Sequence, residues 1–453
     1  MLNLLLWAPL AAGVLLLALP RGAARWVSLA GALVALALAI GLVLDFDAAA
    51  AGLQQVVDES WIPDLGVRYQ LGIDGISVFL ILLTALLWAG ATAFSGLRGY
   101  PEDGRSKLYY FLLGLGETAA LGAFCAQDLL LFVLFFDLML IPFFFLIGAF
   151  GSGDRIAATT KMLVYTLVGS LLMLVGAIAT AILAAEQSGG ELTFSIPTLR
   201  ETLLSSGSQE WIFCFFAAAF LVKMPAFPIH GWMPDAYRAA PLPVVLLLSG
   251  VLSKVGAYGF LRVVLPIFPE ATSTFQELVM VVAVVSILYG SVMAFTQTNV
   301  RLIAGYSSIA QLGFITLGVF SLRPDGADGA VLQMVNHGLV VAAIFVVIAI
   351  LHERTRTEDL TEMGGQAKRA PVLAALFLVV TMATLAIPGS ANFIGEFYIL
   401  NGAFQSKIAF AFVAAIGVVL AAFYALRLYQ RTMHDRLPEG AESRELSLRD
   451  GVV

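Results

Sequence analysis

Charge is scarce in this chain. Asp, Glu, Lys and Arg make up 12% of the 453 residues, roughly half the ~25% of a soluble domain, which excludes an ordinary water-soluble fold. Only 2 cysteines occur, Cys125 and Cys214, both within apolar runs. Neither a disulfide framework nor a four-cysteine metal or iron–sulfur site can be built from them. The 4 histidines lack metal-ligand spacing, and His352 and His434 stand in basic segments where solvation accounts for them. GETAALG and the scattered glycines do not join a strand to a helix, so no nucleotide fingerprint exists. Nucleic acid is not an expected partner. The first 20 residues lack the basic leader of a cleaved signal, and Arg21 and Arg25 follow the apolar run, which reads as a retained first helix.

What the chain has in quantity is apolar surface: 60% hydrophobic residues and a mean hydropathy of +0.92. Charge-free runs of 18 or more residues recur at 26–44, 75–97, 162–185, 278–300, 302–322, 370–395 and 408–426, each near the ~20 residues a spanning helix needs. The expected fold class is an all-α polytopic membrane protein in a lipid bilayer. Splitting at the charged and Gly/Pro loops predicts about thirteen helices, over 2–19, 26–44, 74–97, 108–125, 128–150, 159–185, 211–232, 239–264, 274–297, 300–321, 328–352, 371–402 and 408–431. Basic residues concentrate in RGAAR, RGYPEDGRSK, GDRIAATTK, TNVR, HERTRTEDLTEMGGQAKR and the tail from Arg427, whereas the loops 45–72 and 186–210 are mostly acidic. The positive-inside rule then sets the basic loops in the cytoplasm and the N-terminus outside. Thirteen helices from that start end inside, and the closing ELSLRDGVV is too short and charged to cross back. A fourteenth helix is therefore expected to be missing from a truncated chain.

FLVKMPAFPIHGWMPDA, residues 220–236, places Lys223, His230 and three prolines in an otherwise greasy stretch. Pro225 and Pro228 lack the amide hydrogens that the carbonyls of Leu221 and Met224 require, and Pro388 does the same to Thr384. Broken helices at membrane depth line cavities where freed carbonyls find polar partners. The seventh and twelfth predicted helices are thus interrupted, five apart in order, which fits two inverted five-helix repeats. The expected organisation is helices one to three over 1–107, a first repeat over 108–268, a second over 269–432, and a cytoplasmic tail over 433–453 leading to the missing helix.

Glu117, Asp137, Lys223, Lys254, His337 and Glu396 lie far from the loops. A charge at a helix centre costs ~2.5–3.5 kcal/mol on insertion scales, so these groups must be paired, hydrated or neutral. Opposite charges on neighbouring helices couple each group's protonation to the distance of its partner, which is what a proton relay needs. Each residue also has a plainer reading. Lys254 could snorkel, although its stem is short for either interface. Lys223 could answer the freed carbonyls. His337 could be a satisfied core donor, and Glu396 a helix-end carboxylate facing the interface. Glu117 and Asp137 could pair with neighbouring helices or subunits.

Four stretches carry a resemblance over nearly the whole chain: ETAALGAFCAQDLLLFVLFFDLMLIPFFFLIG, KMPAFPIHGWMPDAYRAAPLPVVLLLSGVLSKVGAYGFLR, NVRLIAGYSSIAQLGF and PGSANFIGEF. In order, they resemble the antiporter-like membrane subunits of respiratory complex I, the proton-translocating NADH:quinone oxidoreductase. Glu396 in GEF is similar to the M-type branch, the counterpart of mitochondrial subunit 4, where the L, N and antiporter D types have lysine. The resemblance implies that Asp137 pairs with Lys223, that Glu117 is a second carboxylate, and that Lys254, His337 and Glu396 continue a proton path, with Pro225, His230 and Pro388 supporting it. The family has glutamate where Asp137 stands, one methylene longer, so either the backbone compensates or the pair to Lys223 is looser, bridged by water. The resemblance implies no cofactor on this chain, and NADH, FMN, iron–sulfur clusters and quinone in partner subunits. Antiporter-like subunits L and N are the expected neighbours, and the bacterial plasma membrane the expected location. Rival readings are a subunit of a multisubunit sodium/proton antiporter or membrane-bound hydrogenase, and a scaffold that keeps the fold without pumping.

Overall fold

The computed structural model describes residues 1–50, 52–101, 104–436, 445–447 and 450. Much of the expected tail over 433–453 lies outside the described residues. In chain order the helices are α1 (Leu2–Ala18), α2 (Ala24–Leu44), α3 (Ser77–Leu97), α4 (Ser106–Cys125), α5 (Leu129–Leu138), α6 (Leu140–Phe150), α7 (Arg155–Ser188), α8 (Ile196–Glu201) and α9 (Ser206–Lys223). There follow α10 (Met233–Ala239), α11 (Leu242–Ile267), α12 (Pro269–Thr296), α13 (Val300–Phe320), α14 (Pro324–Thr355), α15 (Pro371–Thr384), α16 (Ala391–Ser406) and α17 (Ile408–Met433). Among the described residues, 10 helical stretches are long and apolar enough to cross a membrane, and α5 with α6 counts as one of them. The protein is a polytopic, overwhelmingly helical membrane protein.

Prolines set the interruptions. The helix expected over 211–232 stops at Lys223, and residues 224–232 run in turns before α10, because Pro225 and Pro228 have no amide hydrogen to continue the ladder. The helix expected over 371–402 ends at Thr384 and restarts at Ala391. Gly389, at φ +102°, takes a backbone conformation open to glycine. Ser390 then caps α16 by accepting from the Phe393 amide at 3.3 Å. At the break the Ala383 carbonyl accepts both the Ala386 amide at 3.1 Å and the Asn392 side-chain amide at 3.0 Å, polar partners of the kind that non-helical backbone in lipid requires. Within α11, Leu248–Leu252 and Phe260–Val264 are π-helical, so Lys254 sits on a short α-helical piece, Ser253–Gly259, between two wider turns.

The stretch 45–72, expected to be a loop, contains an antiparallel hairpin of β1 (Gln54–Ile62) and β2 (Val67–Ile73). Alternation in VRYQLGI is the local cause, but Pro63, Gly66 and the flanking acids read equally as loop. The hairpin is tied down by backbone and carboxylate bonds. Gln127 N donates to Gln70 O at 2.8 Å, and Asp128 accepts the Arg68 amide at 3.0 Å while its other oxygen caps α5 through Leu130 and Leu131.

Two compact units emerge, Met1–Met224 with Val251–Gln276, and Pro225–Gly250 with Glu277–Val453. In the first, α7 exposes Val164, Val168, Leu171, Val175, Ile178 and Ile182 and buries Met162, Thr166, Gly169, Met173 and Ala177, the two faces of one helical period. Here α9 and the second half of α11 approach closely: a Cβ on Gly256 would stand 2.6 Å from the Phe220 carbonyl oxygen. In the second unit α13 is buried along its whole length. Helices α14 and α16 meet where a Cβ on Gly329 would stand 2.6 Å from the Ile399 amide nitrogen. Small residues at such crossings allow backbones to pack in the membrane, where dispersion replaces the hydrophobic effect.

The obstruction at Gly256 is backbone and cannot swing aside, so Gly256→Ala is expected to cost about 1–3 kcal/mol as an overpacked contact. Thermal unfolding of the detergent-solubilised protein measures it; an unchanged midpoint would mean that α9 and α11 separate freely there.

Candidate functional site

Lys223 ends α9 at the break, and its side chain is buried. Its Nζ donates to the Phe136 carbonyl at 3.2 Å and lies 4.5 Å from the Phe136 ring centroid. That carbonyl belongs to α5 just before the kink at Met139, where the helical ladder restarts as α6. Asp137, the next residue, faces the same cavity as Ser170 of α7 and acts on Lys223 through charge. Among the described residues no ion pair of 4.0 Å or less joins them, and Asp137 Oδ1 is buried without a hydrogen-bond partner. A lysine solvated by a carbonyl and an aromatic face, with its counter-charge in reach but not in contact, can respond to small shifts of either helix. Asp137 and Ser170 line a mostly apolar cavity of about 370 Å³ with Ile141, Phe145, Leu163 and Leu167.

Lys254 is fully buried in the same unit, and its Nζ bonds Ser253 Oγ at 3.3 Å. The close crossing at Gly256 sets the Lys254 segment against the stretch of α9 that carries Phe220 and Met224, so the two lysine-bearing segments meet. Glu117 is buried on α4, with Oε1 making no hydrogen bond among the described residues. Among the described residues no hydrogen bond or ion pair joins Glu117 to Lys223, whose Nζ is engaged by the Phe136 carbonyl.

In the second unit Glu396 lies on α16 one and a half turns past the break, buried. Its Oε1 accepts from Gln311 Nε2 of α13 at 2.8 Å, and Gln311 Oε1 accepts from Gln333 Nε2 of α14 at 2.7 Å. His337, also buried, is one turn further along α14 than Gln333 and therefore on the same helix face. The buried Tyr424 hydroxyl of α17 is within range of the Glu396 charge. His230, beyond the Pro225 and Pro228 break, bonds the Tyr289 hydroxyl through Nε2 at 3.2 Å and packs on that ring with centroids 4.8 Å apart. The Phe227 amide, freed in the same turn, donates to Ser286 Oγ at 3.0 Å. Pro225 and Pro388 stand at the two places where the helical ladder stops.

Gln311 and Gln333 escaped the sequence reading. Gln311 falls inside the quoted stretch NVRLIAGYSSIAQLGF and Gln333 stands one helical turn before His337, but a neutral amide gives no charge signal. The signal available was a primary amide in the middle of an apolar helix, where it must find a partner. Ser170 and Tyr424 were missed for the same reason. Among the described residues no cluster of three or more His, Cys, Asp or Glu is arranged to hold a metal.

Broken helices whose interruptions adjoin buried lysines and carboxylates define a class, the polytopic proteins that move ions across a membrane. The family comparison is more particular. Residues 126–423 match the family described as NADH:quinone oxidoreductase/Mrp antiporter, transmembrane. The chain is 37% identical over 450 residues to NADH-quinone oxidoreductase subunit M of Rhodobacter capsulatus, covering 96% of this chain and 87% of that one. It is 36% identical to NADH-ubiquinone oxidoreductase chain 4 of Arabidopsis thaliana, over 96% of this chain and 86% of the relative. A chain of respiratory complex I from Thermus thermophilus, solved with bound NADH, superposes with a TM-score of 0.89 at 31% identity, over 100% of this chain and 92% of that one. The chain belongs to the NADH:quinone oxidoreductase/Mrp antiporter transmembrane family.

Gln311→Leu removes the donor to Glu396 and the acceptor of Gln333 together. It is expected to cost about 1–3 kcal/mol, the range for stranding buried polar groups, read as a lower unfolding temperature in detergent. An unchanged temperature would show that the three side chains do not act as one network.

Proposed function

We propose that this chain is the M-type proton-translocating subunit of the membrane arm of an NADH:quinone oxidoreductase, in which quinone reduction elsewhere in the complex drives protons across the membrane. The observation that carries the reading is the arrangement at the two helix breaks: a buried lysine with a nearby but unengaged carboxylate in one unit, and a buried carboxylate held by an amide pair in the other. Near 37% identity to a subunit M across 96% of the chain supports the same branch, as does Glu396 at the position where the L, N and antiporter types carry lysine.

In this reading protons enter near the break after Lys223 and load Lys223 and Lys254, with Asp137 and Glu117 as switching carboxylates. His337 and Glu396 complete the path to the outside, and His230 supports entry. The looser Asp137 pairing weakens the electrostatic hold on Lys223 relative to a glutamate in contact, which lowers the cost of moving its charge. Coupling to the redox reaction is a free energy shared between distant sites. The repeats over 108–268 and 269–432 and the thirteen- to fourteen-helix count belong to this reading. So do neighbouring L and N subunits, a bacterial plasma-membrane location with the N-terminus outside, and NADH, FMN, iron–sulfur clusters and quinone held by the partners. The chain takes part in an enzyme complex without a redox centre of its own.

Lys223→Ala, in a complex purified through a tag on this chain, is expected to leave NADH:quinone reductase activity associated with the tag while proton uptake into vesicles falls several-fold. Normal pumping by an assembled variant sinks the assignment. An intact tagged assembly that lacks the reductase activity and exchanges sodium for protons replaces it with the antiporter reading.

A further inference from the structure

Beyond Lys254, α11 carries two more polar groups toward the hairpin end of the first unit: Tyr258 at i+4 and Arg262 at i+8. Because Ser253–Gly259 is α-helical, Tyr258 shares the Lys254 face. Arg262 Nε donates to Tyr258 Oη at 3.0 Å, and Tyr258 Oη donates to the Phe124 carbonyl at 3.0 Å. Arg262 Nη2 lies 2.7 Å from Asp74 Oδ2, with the arginine side chain 3% exposed and the aspartate 21%. Asp74 is itself fixed at the start of α3, its Oδ1 accepting from the Ile76 and Ser77 amides at 3.1 Å. Along this face the order is a buried lysine, a buried phenol, a buried guanidinium, and then a carboxylate that reaches solvent.

We propose that Arg262, clamped by Tyr258 and Asp74, is an electrostatic seal that stops protons held at Lys254 from leaving through the hairpin end of the first unit. The inference rests on the proton-translocating reading above. A guanidinium stays protonated throughout the biological pH range, so it cannot take a proton from one side and release it to the other as lysine or histidine can. What it presents is a fixed positive charge in a water-poor setting, where charges repel far more strongly than in bulk water. A single arginine at a constriction is a known kind of barrier to protons and cations. Tyr258 cannot bypass it, because its oxygen accepts from Arg262 and its proton is committed to the Phe124 carbonyl. The plainer alternative is that the ion pair only pins α11 to the start of α3. The two differ in what they need: pinning needs the pair, whereas sealing needs the positive charge.

The test uses the intact complex in lipid vesicles with an imposed pH gradient and no NADH, so it reads passive leak and is independent of the pumping assay on Lys223. Arg262→Gln is expected to dissipate the gradient several-fold faster than the wild type. Arg262→Lys and Asp74→Asn, which both keep a cation at position 262, are expected to hold it, the asparagine side-chain oxygen still accepting from the Ile76 and Ser77 amides. Adding Lys254→Met to Arg262→Gln is expected to stop the leak. If Arg262→Gln does not assemble, the neutral pair Arg262→Gln/Asp74→Asn leaves no stranded carboxylate and is expected to leak likewise. A gradient held at the wild-type rate by the assembled neutral variant overturns the proposal. So does a leak from Asp74→Asn equal to that of Arg262→Gln, or one that persists without Lys254.

Discussion

Many unusual features of this protein follow from the cost of leaving a polar group unpartnered in hydrocarbon. Proline at 225, 228 and 388 removes helical hydrogen bonds, and the carbonyls and amides released have no water to turn to in the bilayer. Side chains meet several of the backbone groups at irregular places: Asn392 the Ala383 carbonyl, Ser286 the Phe227 amide, and, away from the proline breaks, Lys223 the Phe136 carbonyl beside the kink at Met139. Buried charges are answered the same way, Glu396 by Gln311 and Arg262 by Asp74. Irregular backbone and buried charge therefore occur at the same places because each supplies what the other lacks.

These partnerships need helices close enough to share polar atoms. At Gly256 and Gly329 a single methyl group would collide with a neighbouring backbone, and both glycines lie near the polar groups in question, Gly256 beside Lys254 and Gly329 one turn from Gln333. Tight crossings fix the distances, while the π-helical turns flanking Lys254 and the breaks at the prolines leave short segments with local freedom. A rigid frame with small adjustable pieces suits a site whose groups must alter their mutual distance by a little and return.

Much of this was legible in the linear chain. Scarce charge and recurring apolar runs state that the protein spans a membrane, the prolines state where helices stop, and isolated ionisable residues such as Lys254 and Glu396 stand out because lipid tolerates so few of them. The hairpin over 54–73 was less legible, since its seven-residue alternation in β2 gains meaning only from the strand it pairs with and from Asp128, far along the chain. The Gln311–Gln333 bridge was not legible at all, since a neutral amide carries no charge signal and its importance lies in what it touches.

The sequence by itself determined the solvent, the apolar segments, the proline breaks and part of the buried charge, because each depends on local composition or on one residue's covalent limits; the burial of Asp128, Arg262, Arg301 and Arg354 was not among them. Only the tertiary structure decided which groups are partners. It set Lys223 on the Phe136 carbonyl with Asp137 outside contact distance, gave Glu396 to an amide pair, and set Arg262 between Tyr258 and Asp74. Such pairings depend on helix rotation and crossing distance, which residues far apart in the chain fix jointly through close packing.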